Sequence, residues 1–252
     1  MTRVAAVTGA SSGIGRATAV AFGALGWVVA VGARRVDQLE ATAKLVEEAG
    51  GRGIVHPLDV TEPESVDAFC EFVAHEAAPI DVLVNNAGTA RPGFAHEMLD
   101  EHHRQIIETN LLGPILMTRR VIGALREQGA AAGDVVFISS DSTLHHRPAM
   151  ATYASTKAAL ETFAATLALE CEGTGIRASV VRVGPTQGTS FADGWDLGVF
   201  EELFPRWQRF GIQRHFHTMQ PEDVARTIVH VVTAPPHMWT PIIEVQPNPP
   251  LE

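Results

Sequence analysis

The feature that most restricts how this chain can fold is an alternation. Short apolar runs that end in glycine, serine or asparagine give way repeatedly to longer segments of helical character. The apolar runs are Val4–Val7, Trp27–Gly32, Gly53–Pro57, Asp81–Val84, Val135–Ile138 and Arg177–Val183. Between them lie a helix that opens on a glycine-rich turn, a helix Val36–Ala49 stopped by Gly50 and Gly51, and helices Glu62–Ala77, Asp100–Arg126 and Thr152–Leu169. Runs this short and this apolar suit strands buried on both faces of a parallel sheet. Strand and helix in strict succession then imply an α/β protein: a doubly wound parallel sheet with right-handed crossovers and helices on both faces. Ile242, Ile243, Glu244 and Val245, before Gln246 and Pro247, are expected to add a seventh strand.

A chain of 252 residues with 46% hydrophobic content can bury the core such a sheet needs, and one domain over residues 1–252 is expected. The formal charge is −10 with no basic block, which argues against a nucleic-acid or anionic-membrane partner and leaves small molecules and further copies of the chain. Cys70 and Cys171 have neither metal-ligand spacing nor a disulfide framework, and read as reduced residues of a cytoplasmic protein. Val4–Val7 is too short an apolar core for a signal peptide. The uncharged stretch Ala17–Ala33 is split by Gly26 and falls short of a membrane span. No repeat appears, and the proline-rich Pro247–Pro250 is expected to end the fold.

Doubly wound sheets bind ligands beyond the C-terminal ends of their strands, and the polar motifs of this chain fall at those ends. After the first strand comes Thr8, Gly9, Ala10, Ser11, Ser12, Gly13, Ile14, Gly15. Glycines there let a pyrophosphate approach the amides of a helix N-terminus, although three residues separate the first two glycines where the common dinucleotide fingerprint has one. After the second strand come Arg34 and Arg35, with no acid before Asp37. Arginine there pairs with a 2′-phosphate where an acid would hold a ribose diol, so NADP is favoured over NAD; the plainer reading is solvated loop charge. After the third come Asp59 and Val60, with Asp59 placed either to bond an adenine amino group or to cap the next helix. After the fourth come Asn85, Asn86, Ala87 and Gly88, whose asparagines need partners and are read as bracing the sheet beside a coenzyme.

The fifth strand leads into Ser139 and Ser140 and, past a loop, into Tyr153 and Lys157. Tyr153 is the only tyrosine of the chain and Lys157 one of two lysines. On a helix, residues four apart share a face. An ammonium beside a phenol favours the phenolate, and a phenol tuned toward neutrality can move protons. Ser140, at the strand end, is placed to hydrogen-bond a substrate oxygen. Singly, a tyrosine on a helix is most often packing, a lysine a solvated charge and two serines a turn. Asn110, with Gly113 and Pro114, interrupts the preceding helix, either as a kink or as a site for a water connected to Lys157.

Taken together, Thr8-Gly9 through Gly13 and Gly15, Asp59, Asn85-Asn86-Ala87-Gly88, Asn110, Ser140, Tyr153 and Lys157 resemble the short-chain dehydrogenase/reductase family over roughly residues 1–190. The resemblance implies a Rossmann-type fold and hydride transfer between a nicotinamide coenzyme and a carbonyl or alcohol. It implies Tyr153 as acid/base, Ser140 orienting the carbonyl, Lys157 on the nicotinamide ribose and lowering the tyrosine pKa, and Asn110 supporting a relay water. It also implies coenzyme contacts from Gly9, Ser11, Ser12, Gly13, Ile14, Gly15, Arg34, Arg35, Asp59, Val60, Asn86, Ala87, Gly88, Tyr153, Lys157, Gly184 and Thr186. Two departures stand out. Val183-Gly184-Pro185-Thr186-Gln187-Gly188 places Thr189 one position late, and the glycine-rich C-terminal ending common in the family is missing.

Residues 187–220 correspond to the family's substrate lid, and their aromatics (Phe191, Trp195, Phe200, Phe204, Trp207, Phe210, Phe216) suggest a bulky apolar substrate where they do not simply pack the core. His145 and His146 are placed to border the pocket; no metal site is expected there or at His102, His103, His215 and His217. Self-association to a dimer or tetramer through Asp100–Arg126 and Thr152–Leu169 is implied by the resemblance. Two other functions stand against the oxidoreductase: a nucleotide sensor without turnover, which would be expected to lack tyrosine, lysine or serine, and another Rossmann enzyme such as an epimerase or dehydratase, against which Arg34, Arg35 and the short C-terminal region argue.

Overall fold

Each of the six apolar runs becomes a strand of one sheet, and Ile242–Val245 adds the seventh. The computed structural model describes residues 2–129, 132–189, 195, 197–212 and 215–249; Phe191, the side chain of Phe200 and Pro250 lie outside the described residues. The strands are β1 (Val4–Thr8), β2 (Val28–Ala33), β3 (Arg52–Pro57), β4 (Val82–Asn85), β5 (Gly133–Ser140), β6 (Ile176–Val183) and β7 (Ile242–Val245). They lie in the order β3-β2-β1-β4-β5-β6-β7, and every pairing is parallel. The helices are α1 (Gly13–Gly23), α2 (Val36–Glu48), α3 (Pro63–Glu76), α4 (Asp100–Ile107), α5 (Gly113–Glu127), α6 (Ala151–Glu170), α7 (Leu197–Arg209) and α8 (Pro221–Thr233).

Period-two alternation divides strands β1 to β6 between two cores, while β7 packs only one of its faces. In β1, Val4 and Ala6 join Phe69, Val73, Met117, Val121 and Leu160 from α3, α5 and α6. Ala5 and Val7 face the other way, toward Phe22, Leu39, Val46, Val224 and Ile228 from α1, α2 and α8. All five residues of β1 are buried, as a central strand covered on both sides requires. The order reverses between β1 and β4, and this reversal opens the crevice in which such sheets bind ligands.

The interruption near Asn110 is a π-helical turn, Glu108–Leu112, that joins α4 to α5 without breaking the path of the chain. Pro114 sits in the first turn of α5, directly after the π turn, where it has no N–H to give to the carbonyls of that turn. Gly113 has a steric role: a Cβ there would lie 2.7 Å from Val60 Cγ2 and 3.1 Å from the Val60 carbonyl oxygen, so glycine lets α5 close on the turn after β3.

Candidate active site

The C-terminal ends of the strands surround one cavity of about 770 Å³. At one end lies the glycine-rich turn between β1 and α1. Gly9 has a φ of 66° and a Cβ there would sit 2.9 Å from Ala87 Cα, so this position requires glycine twice over. A Cβ on Gly15 would sit 2.5 Å from Asn86 Nδ2. Asn86 explains the tightness, since its amide donates to the carbonyls of Thr8 at 2.8 Å and Gly9 at 3.3 Å and holds the turn from below. Thr8, which sequence reasoning quoted without a role, is the other brace: its hydroxyl accepts from the amides of Asn86 (3.0 Å) and Ala87 (2.9 Å). Asn85 is buried and donates to Thr118 Oγ1. Both asparagines therefore brace the sheet, as their need for partners suggests.

Arg35 reaches over the same turn and donates to Ser11 Oγ at 3.1 Å and Ser12 Oγ at 2.9 Å. Arg34 is exposed at the cavity's edge. Arg16 was not foreseen; it bonds the Ser11 carbonyl and Gln38 and ties α1 to α2 beneath the serines. The first turn of α1 carries no acidic side chain, so nothing there repels an anion at the helix N-terminus. Asp59 does not cap α3, whose N-cap is Glu62; it accepts from Thr61 N and Thr61 Oγ1 and shapes the turn after β3, with Asp59 and Val60 on the cavity wall. The turn with room for a pyrophosphate, the arginines at its rim and Gly88 beside Lys157 fit a dinucleotide.

At the other end stand Ser140, Tyr153 and Lys157, on the end of β5 and the first two turns of α6. Tyr153 and Ser140 are hydrogen-bonded through their side chains. Lys157 is buried, and its ammonium donates to the Ile138 carbonyl at 2.8 Å and lies 5.9 Å from the centre of the Tyr153 ring. Asn110 is wholly buried in the π turn; its side chain bonds both the amide and the carbonyl of Thr89 at 2.8 Å and fixes the segment that follows Gly88. Lys157 Nζ and Asn110 Oδ1 would lie 3.7 Å and 3.4 Å from a Cβ on Gly88, so the three converge.

The electrostatics depart from the expectation that Lys157 lowers the phenol. Burial pushes Tyr153 up to about 12, partly offset by its hydrogen bond with Ser140, with Asp141 raising it further and Arg147 lowering it. Burial also pulls Lys157 down to about 8. Both effects have one cause, since a buried site disfavours whichever form is charged. Near neutrality the phenol therefore keeps its proton.

A match to the short chain dehydrogenase model covers residues 3–197. The chain belongs to the short-chain dehydrogenase/reductase family. It is 38% identical over 184 residues to the uncharacterized oxidoreductase YusZ of Bacillus subtilis, across 72% of this chain and 64% of that protein. Among solved structures, the actinorhodin polyketide ketoreductase with NADPH aligns with a TM-score of 0.83 at 30% identity, covering 98% of this chain and 96% of the other. The 3-ketoacyl-(acyl-carrier-protein) reductase of Brucella melitensis, complexed with NADH, aligns with a TM-score of 0.82 at 25% identity, covering 97% and 96%. The chain spans 64%, 19% and 60% of the length of three curated relatives.

The chain's departures from the pattern of the short-chain dehydrogenase/reductase family can be located. A Cβ at Gly184 would lie 2.0 Å from Oε1 of Gln246, an exposed side chain whose end would have to swing aside. Thr186 pairs with Met219 in an isolated parallel bridge and bonds the Gly184 carbonyl, and Thr189 lies against Gly13, where a Cβ would sit 3.1 Å from Thr189 Cα. Residues 184–189 thus run from β6 across the cavity to the glycine turn. Trp195 bonds the Ala90 carbonyl and Trp207 the Pro148 carbonyl, and with Leu203 and Met150 they share one apolar cluster with Tyr153. Phe210 and Phe216 are exposed. His145 and His146 point outward and do not line the cavity; Arg147, which sequence reasoning passed over, takes the inward place and pairs with Asp141. No residue type announces that pairing, because the path of the loop decides it.

Proposed function

We propose that the protein is an NADP(H)-dependent oxidoreductase that interconverts a carbonyl and an alcohol on a bulky apolar substrate. The observation that carries this reading is the joining, in one cavity, of the Ser140–Tyr153 hydrogen bond with a glycine turn whose serines are held by Arg35. A nicotinamide coenzyme supplies the hydride. Ser140 donates a hydrogen bond to the substrate oxygen and Tyr153 transfers its proton to that oxygen in reduction. A phenol that keeps its proton near neutrality suits the acid role. Lys157 serves the nicotinamide ribose, and Asn110 holds the segment after Gly88 beside it for a relay water. Ser11, Ser12, Arg34 and Arg35 receive a 2′-phosphate. Residues 187–220 act as a substrate lid, supported by the apolar cluster that Trp195 and Trp207 share with Tyr153. Action in the cytoplasm, where Cys70 and Cys171 stay reduced, and self-association through the outer faces of α4, α5 and α6 belong to the same proposal.

Tyr153→Phe tests the chemistry. Turnover of carbonyl substrates is expected to fall by about 10²–10⁴-fold, the usual worth of a positioned proton donor, while coenzyme affinity stays near that of the parent. Undiminished turnover sinks the mechanism. Coenzyme preference is tested by quenching of tryptophan fluorescence with NADPH and NADH in parallel. NADPH is expected to bind more tightly and to lose that advantage in Arg34→Ala or Arg35→Ala; equal binding in the parent removes the arginines from the coenzyme site.

A further inference from the structure

A buried charge pair stands beside the phenol that the hydride chemistry does not call for. The two terminal nitrogens of Arg147 donate to the two oxygens of Asp141 at 2.8 Å each, with the side chains only 11% and 7% exposed. Asp141 directly follows Ser140 and accepts from its hydroxyl at 3.3 Å. The Asp141 carbonyl also accepts from the amides of Leu144 (3.0 Å) and His145 (2.8 Å), and the Arg147 carbonyl accepts from Met150, the residue that precedes α6. The pair therefore ties the catalytic serine to the loop that delivers the catalytic tyrosine. Such a buried pair is a poor device for stability alone, because well-packed apolar residues of similar size are often as stable or more so.

Its place among the other charges suggests a different use. The charged groups facing the phenol are Asp141 and Arg147 from the loop after β5 and Lys157 from its own helix. From α4, His103 is held by Thr152 Oγ1 at 2.7 Å, and the buried α7 residues in the apolar cluster of Tyr153, Leu203 and Trp207, are uncharged. Asp141 and Arg147 act on the phenol with opposite signs.

We propose that Asp141 and Arg147 are a matched positioning pair, which fixes Ser140 against the loop leading into α6 and cancels, at Tyr153, the charge that either partner alone would impose. The inference rests on the proposed role of Tyr153 as proton carrier, but its test needs no substrate. Tyr153 is the only tyrosine of the chain, so tyrosinate absorbance reports this one residue. Stopped-flow jumps to alkaline pH, read before the chain can unfold, give the ionised fraction.

At one alkaline pH the fast amplitude is expected to rise severalfold in Asp141→Asn and to fall severalfold in Arg147→Gln, up to about tenfold for a one-unit shift. The double variant and Arg147→Lys are expected to return to the parent amplitude. The proposal is overturned if the two single variants move together, if neither moves, or if the double variant keeps the change of one single. Should one single variant not fold, the shift in the other and its disappearance in the double carry the same test. Failure here with Tyr153→Phe inactive refutes the pair alone; an active Tyr153→Phe refutes the mechanism whatever the titration gives.

Discussion

Lys157 illustrates how a single side chain can serve the site at the expense of the fold. Its ammonium is buried against the Ile138 carbonyl and pulled from 10.5 down to about 8. Below about pH 8 it is charged in the folded and unfolded chains alike, and the desolvation penalty counts in full. Between about pH 8 and 10.5 the folded chain holds fewer protons than the unfolded one, so stability rises with pH across that window. Lys157→Met is therefore expected to be more stable than the parent near neutrality by about 1–3 kcal/mol, after allowing for the lost hydrogen bond. Thermal melts at neutral and at alkaline pH check this, and the gap should narrow as pH rises. A variant that melts lower at neutral pH would show that the hydrogen bond outweighs the desolvation. The identity of this lysine and its partner tyrosine was legible from their spacing on one helix. Their charge states were not, because desolvation depends on how deeply the helix is buried and on nothing local to the two residues.

Elements lock to one another at the end of the sheet away from the site, and there Asp134 at the start of β5 holds two arginines. Arg3 donates to Asp134 Oδ2 at 2.6 Å and Arg177 to Oδ1 at 2.8 Å. Both also bond carbonyls at and beyond the end of α8: Arg3 that of Val232, Arg177 those of Ala234, Pro235 and Met238. Cations at a helix C-terminus complement its dipole, and the carboxylate fixes them there. Asp134→Ala leaves two partly buried guanidiniums without it and is expected to cost about 2–4 kcal/mol, read as a lower urea midpoint. Coenzyme affinity should not change, because the residue lies six positions before Ser140, roughly 20 Å along the strand. A loss of affinity equal to the loss of stability would mean that the sheet does not insulate its two ends. At this scale the strands were readable because burial on both faces leaves uninterrupted apolar runs. The π turn at Glu108–Leu112 was readable only as an interruption, and the approach of Gly113 just beyond it to Val60, some fifty positions away, is one that no local pattern announces.

For the whole molecule, the two helical layers are not equivalent. On the α1, α2 and α8 side, Phe22 and Val46 are wholly buried, and the exposed large apolar side chains are Leu25, just after α1, and Leu45 of α2, at 44% and 39%. On the other side, Ile107, Leu112 and Leu169 are 44%, 41% and 72% exposed, and a groove between α5 and α6 runs over Ile115, Phe163 and Leu167, flanked by Arg119, Arg126 and Glu170. An apolar strip with charges of both signs at its edge suits a self-complementary contact, since a two-fold axis can bring the arginines of one copy to the glutamate of the next. A stable contact of that kind covers about 1,200–2,000 Å², an area that helices of 15 and 20 residues can supply. The protein is accordingly expected to sediment as a dimer or tetramer at micromolar concentration. Leu169→Glu alters a side chain that the core does not use and puts a charge into the strip, so it should shift the distribution toward monomer without lowering the unfolding midpoint of the subunit. A parent chain that sediments as a monomer refutes the association. A Leu169→Glu chain that stays assembled moves the contact elsewhere, and the exposed Met238, Trp239 and Ile242 next to the edge strand β7 become the surface to test.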